Sequence, residues 1–121
     1  MVFTPEIRDR LCDLLREYEP AYAVPTHLEQ VRLTQRTLSD GEREAERTFL
    51  EVEVSVTPSD GGPERWLLSL DFDEDARNLL GAEADESELR TAALIIFANV
   101  DEWWRCKDQE AATAAIGQRL A

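Results

Sequence analysis

Apolar positions along the chain follow two periods, and each period predicts an element. Ile7, Leu11, Leu14, Leu15 and Tyr18 recur at three- and four-residue spacing, a single stripe that predicts an amphipathic helix. Thr4-Pro5-Glu6 precedes it with a hydroxyl for the cap, a proline for the first turn and an acid at the positive end of the helix dipole. Pro20 stops that helix, and Pro25 keeps the connector extended. From Thr48 to Thr57 the period falls to two. Leu50, Val52, Val54 and Val56 alternate with Glu51, Glu53 and Ser55, as in a strand buried on one face.

Residues 28–38 fit either element. Thr26 and Glu29 could form a capping box, with Leu28, Val31 and Leu38 on one helical face. A strand from about Gln30 to Leu38 instead sets Val31 and Leu33 on one side and Arg32, Thr34 and Arg36 on the other. The neighbouring strand favours the second reading. Folded antiparallel around Ser39-Asp40-Gly41 and the polar residues after it, the two segments bring Val31 to Val54, Leu33 to Val52 and Arg32 to Glu53.

Pro58 to Pro63 is a turn cluster, and a third strand follows with Trp66, Leu68, Leu70 and Phe72 on its core face. Two registers pair it apolar to apolar, with Leu70 opposite Val52 or Val54. Each sets Asp71 against a glutamate, Glu51 or Glu53, unless an arginine such as Arg32 lies alongside. Asp73 or Asp75 can cap a short helix running to Leu80 and ended by Gly81. A long helix is expected from about Asp85 to Arg105. Leu89, Ala92, Ala93, Ile96, Val100, Trp103 and Trp104 mark its apolar face; Leu94, Ile95 and Phe97 widen it enough to predict burial on two sides. A weaker helix over Asp108 to Leu120 would turn Ala112, Ala115, Ile116 and Leu120 inward. The expected fold is α+β in one domain over residues 1–121: N-terminal helix, three-stranded antiparallel meander, short helix, long buried helix and C-terminal helix.

Charge narrows the function classes. Twenty-six acids against thirteen bases leave a net charge of -13, the wrong sign for displacing counterions from phosphates, so direct nucleic-acid binding is not expected. No apolar run approaches the roughly 18–20 residues of a membrane span. Met1 to Glu6 lacks the basic and apolar regions of a secretory signal, which points to a cytoplasmic protein. Cys12 and Cys106 fit a reducing compartment as small hydrophobic residues.

Candidate chemistry is sparse. His27 is the single histidine, so no zinc ligand set can be assembled, and no nucleophile motif surrounds it. Asp71-Phe72-Asp73-Glu74-Asp75 opens like a calcium loop, but Ala76 and Ala82 occupy the places of the diagnostic glycine and glutamate. Glu51 and Glu53 share a strand face about 7 Å apart, with nothing evident to desolvate them, and read as solvated surface. Gly61-Gly62 belongs to a turn without the lysine and helix of a phosphate loop. No catalytic residue, metal or cofactor is therefore assigned.

The most distinctive stretch is Asp71 to Glu88, where eight acids face Arg77 alone. Asp71, Asp73, Asp75, Asp85 and Glu86 are the expected partner-binding residues. Trp103 joins them as an aromatic anchor, since two adjacent tryptophans on a helix lie about 100° apart and rarely bury equally. The expected function is a non-catalytic protein-interaction module whose acidic surface docks a basic protein partner, an inhibitor or immunity-type protein being one concrete form. A homodimer is a further expectation of the binding class. The alternative is a small enzyme or ligand-binding protein with a pocket between sheet and long helix, lined by Trp66, Phe72, Phe97 and Trp104.

Overall fold

In the computed structural model, which describes residues 3–41, 43–58, 61–106 and 115–120 (without the side chains at 36, 38–40, 43, 73, 77, 115 and 116), helix α1 spans Pro5–Glu17. Thr4 caps it, its Oγ1 accepting the Ile7 N–H at 3.2 Å. The predicted stripe is the buried face: Ile7, Leu11, Leu14 and Leu15 join the core, each burial contributing roughly 1.5–3 kcal/mol before entropy is set against it. The helix ends at Tyr18, and Pro20 falls in a 3₁₀ turn over Glu19–Ala21.

Residues 28–38 are strand. β1 (Thr26–Asp40) pairs antiparallel with β2 (Arg43–Val56). The hairpin closes between Asp40 and Arg43, with Gly41 in the left-handed region at φ 65, a conformation that favours glycine. That turn is tighter than the one predicted, and it slides the register by two. Val31 meets Val52, Leu33 meets Leu50 and Arg32 meets Glu51. Because two is even, the inward and outward sets survive the slip. A bulge between Leu28 and Gln30 absorbs Glu29, and this alone lets Leu28 and Val31, three apart, both face the core.

β3 (Glu64–Asp71) lies two residues beyond the nearer predicted register, with Leu70 opposite Leu50, Leu68 opposite Val52 and Trp66 opposite Val54. Asp71 therefore faces Phe49 rather than a glutamate, and Arg47 Nη2 pairs with it at 2.7 Å. The cause is Phe72, whose N–H donates to the Thr48 carbonyl at 3.1 Å while its ring is 1% exposed. Anchored so, it fixes the strand's end. It also takes the cap position of α2 (Asp73–Leu79) without a side-chain cap bond, in place of the predicted Asp73 or Asp75.

α3 (Glu86–Cys106) starts on a reciprocal capping box. The Glu88 N–H donates to Asp85 Oδ1 at 2.8 Å, and the Asp85 N–H to Glu88 Oε1 at 3.2 Å. Leu89, Ala92, Ala93, Ile96, Val100 and Trp103 are buried in the core shared with α1 and the sheet. The expected widening stops short of Leu94, which is 52% exposed.

The predicted C-terminal helix is corrected. Ala115–Arg119 form β4, antiparallel to β3 from Leu70–Ala115 to Trp66–Arg119, and the Leu120 N–H donates to the Arg65 carbonyl. Ala112 and the rest of 107–114 lie outside the described residues, and Leu120, expected inward, is 43% exposed. Pairing decides this segment: β3 has a free edge, and Gly117 opposite Leu68 is a weak helix former that admits the strand against Trp103. The fold is α+β, with a four-stranded antiparallel sheet in the order β1-β2-β3-β4. Among the described residues no helix is long and apolar enough to cross a membrane.

Candidate functional site

Folding divides the acidic stretch among different tasks. Asp71 spends its charge on Arg47 at the end of β3. Asp73 begins α2, its side chain lying outside the described ones, and Asp75 is half-buried in the same helix. Asp85 serves as the α3 cap. Glu86 is held by Arg10 of α1, whose Nε donates at 3.0 Å and whose Nη2 also reaches it, and by Arg90 at 3.4 Å. Glu74, Asp75 and Glu83 have no ion-pair partner among the described residues. A count of charges along the chain thus overstates the field at Asp71 and Glu86, because the arginines that answer them come from β2 and α1.

The Arg10 hydrogen bond holds the Glu86 carboxyl below its ordinary 4.5; the charges of Arg10 and Arg90 add to this against an opposing desolvation. A carboxyl lowered in the folded state stabilises above its unfolded pKa, and that contribution is lost as pH falls through the lowered folded value. Carboxyl-carbon NMR titration is expected to place the Glu86 midpoint below 4.5, and Arg10→Ala is expected to move it back up. An unmoved midpoint in that variant would mean that Arg10 is not the cause.

Trp103 is 4% exposed. Its ring stands edge-on to Trp66 with centroids 4.9 Å apart and tilted against Trp104 at 5.9 Å. The core takes Trp103, and half-buried Trp104 is the member of the pair turned toward the surface.

Glu51 and Glu53 are not solvated. They are 5% and 6% exposed, on the sheet face opposite the helices. Arg32 Nη2 pairs with Glu51 at 2.8 Å, while Arg65 and the Gln30 side chain bond Glu53. The alternation of Gln30 and Arg32 on β1 and of Arg65 on β3 carried this signal, but reading it required the true register. Each carboxylate is paired with the guanidinium of an arginine that itself stays exposed.

At the start of β1, His27 Nδ1 lies 3.1 Å from Glu19 Oε1, which also accepts the Leu28 N–H at 2.9 Å. The Tyr22 ring is tilted against Phe97 with centroids 4.7 Å apart, and burial, followed by the nearby charges of Asp101 and Glu19, pushes its hydroxyl pKa upward. Burial likewise raises the Cys12 thiol, the opposite of what activates a nucleophilic cysteine.

Clefts on the described surface include the following two. One of about 490 Å³ runs between α1 and β1, with Cys12 and Val31 among its lining residues. A second of about 360 Å³ is lined by Asn78, Glu83 and Glu88 around the α2–α3 link. Neither is lined by Trp66, Phe72, Phe97 or Trp104, the residues expected around a ligand pocket. Among the described residues no three His, Cys, Asp or Glu side chains gather as metal ligands. A scan of the chain against protein-family models and searches of curated proteins and of solved structures returned no match.

Proposed function

We propose that this chain is a non-catalytic protein-interaction module that recruits a basic protein partner through the acidic end formed by α2 and the α2–α3 link, as an inhibitor or immunity-type protein would. One observation carries the reading. Glu74, Asp75 and Glu83 have no ion-pair partner among the described residues, so their charge is available, whereas Asp71 and Glu86 nearby are answered by arginines and Asp85 and Glu88 form the capping box of α3. A chain of net charge -13 attracts a cationic partner over the screening distance, about 10 Å at 0.1 M salt, and these three carboxylates supply the docking contacts.

Affinity capture from native lysate at about 50 mM and about 500 mM salt tests this. A basic protein held at low salt and released at high salt is the expected result. The combined variant Glu74→Gln, Asp75→Asn, Glu83→Gln should lose most of that capture with its thermal midpoint lowered only slightly, because none of the three supports a described ion pair and only the favourable placing of Glu74 and Asp75 at the start of α2 is lost. Capture that survives high salt, or that the combined variant leaves intact, counts against the proposal.

A further inference from the structure

The strand order β1-β2-β3-β4 leaves β1 at one side of the sheet, and among the described residues no strand lies beyond it. Register determines which way its main-chain groups point. The Phe72 N–H bonds the Thr48 carbonyl, so even-numbered residues of β2 direct their main chain to β3 and odd-numbered ones to β1. Beyond the bulge, Arg32 and Thr34 lie opposite Glu51 and Phe49 and bond inward. Val31, Leu33, Gln35 and Thr37 therefore turn their N–H and C=O groups away from the sheet. Before the bulge the edge is guarded, because Leu28 gives its N–H to the Glu19 carboxylate at 2.9 Å.

A row of outward main-chain groups is a template for a further strand, and such edges are usually blunted by proline, lysine or a bulge. Val31 to Gln35 has none of these. Its side chains decide whether the strand can meet its own copy antiparallel about a twofold axis. An axis at Arg32 sets Arg32 against itself, and one at Thr34 sets Arg32 against Arg36 of the copy; like charges directly opposite are destabilising. An axis at Val31 runs Leu33 into the bulge at Glu29, and one at Gln35 spends Leu33 on Thr37. Only the axis at Leu33 avoids every conflict. Leu33 then opposes Leu33, Val31 opposes Gln35 and Arg32 opposes Thr34. Leu33 is half-buried against the core, and its counterpart completes the burial.

We infer that β1 pairs with β1 of a second copy about a twofold axis at Leu33, joining the two four-stranded sheets into one. The pairs Val31–Gln35, Leu33–Leu33 and Gln35–Val31 exchange about six main-chain hydrogen bonds. Local charge permits the approach. Arg8, Arg16 and Arg32 stand beside this edge with Asp9, Asp13 and Glu29, so the flank is neutral and the repulsion between two chains of net charge -13 is not concentrated at the seam. Salt screens that repulsion and spares the main-chain bonds and the leucine contact. Dimer formation should therefore strengthen with salt, the reverse of the capture of a basic partner proposed above.

Sedimentation velocity of the full chain between about 5 and about 200 μM, in about 50 mM and about 500 mM salt, tests this. A dimer is expected at the upper concentrations, more of it at high salt. Amide hydrogen exchange at Val31, Leu33 and Gln35 should slow as the dimer forms, with Leu28 unaffected. Gln35 is exposed and its N–H points outward, so Gln35→Pro removes no bond to β2. That variant should dimerise about tenfold more weakly, because each of the two symmetric Gln35–Val31 pairs loses one main-chain bond. If it fails to fold, the exchange pattern of the parent chain decides alone. A monomer under every condition, a dimer that weakens with salt, or one that leaves those three amides unchanged overturns the inference. Undiminished dimer in a folded Gln35→Pro variant does the same.

Discussion

Trp103→Ala is expected to lower the unfolding free energy by about 3–5 kcal/mol, the cost of removing a large buried aromatic side chain from a core that relaxes only in part. The ring is 4% exposed and lies between Trp66, Trp104 and the backbone of β4 at Gly117. Domains of this size are stable by roughly 5–15 kcal/mol, so the loss is a large share of the total. Urea unfolding followed by circular dichroism measures it. A shift of the midpoint with little change in slope is expected, whereas an unaltered midpoint would show that Trp103 does not carry the packing assigned to it. Trp104→Ala, at the half-buried member of the pair, should cost less.

Gly117→Ala attacks the same contact from the strand side. A Cβ at Gly117 would lie 2.6 Å from the Trp103 ring, closer than atoms can approach, and the ring is backed by Trp66 and Trp104 and cannot withdraw. Overpacking of this kind costs about 1–3 kcal/mol. Gly61→Ala is the control, since nothing lies within 4 Å of the Cβ it would gain. The two positions should be coupled: in a Trp103→Ala background the penalty of Gly117→Ala is expected to fall well below its value in the parent, because the clashing ring is gone. Additive losses would place the cost of the new methyl somewhere other than against Trp103.

Pattern was most reliable where local chemistry and burial agree. α1 was legible because Thr4, Pro5 and a one-sided stripe all specify the same element, and α3 because Leu89 to Val100 repeat over more than three turns. The strands were legible in their alternation but not in their registers. Leu, Val and Trp pair about equally well in registers two apart, so apolar matching leaves several solutions, and the Asp40–Arg43 closure and the Phe72 anchor select one. β4 was misread because Ala115 to Leu120 has too weak a periodicity to resist the free edge of β3. The acidic stretch was visible as a count, but the ion pairs of Asp71 with Arg47 and of Glu86 with Arg10 join residues 24 and 76 apart in sequence.

By itself the chain determined what short-range physics can: which segments are helical or extended, which face of each is apolar, and how much charge the molecule carries. Only the tertiary structure decided which carboxylates have no ion-pair partner among the described residues, that Glu51 and Glu53 are buried and paired with arginines, and that Trp103 belongs to the core. Those outcomes depend on strand register and on side chains meeting across the fold, and both are set by closure and packing rather than by neighbours in sequence.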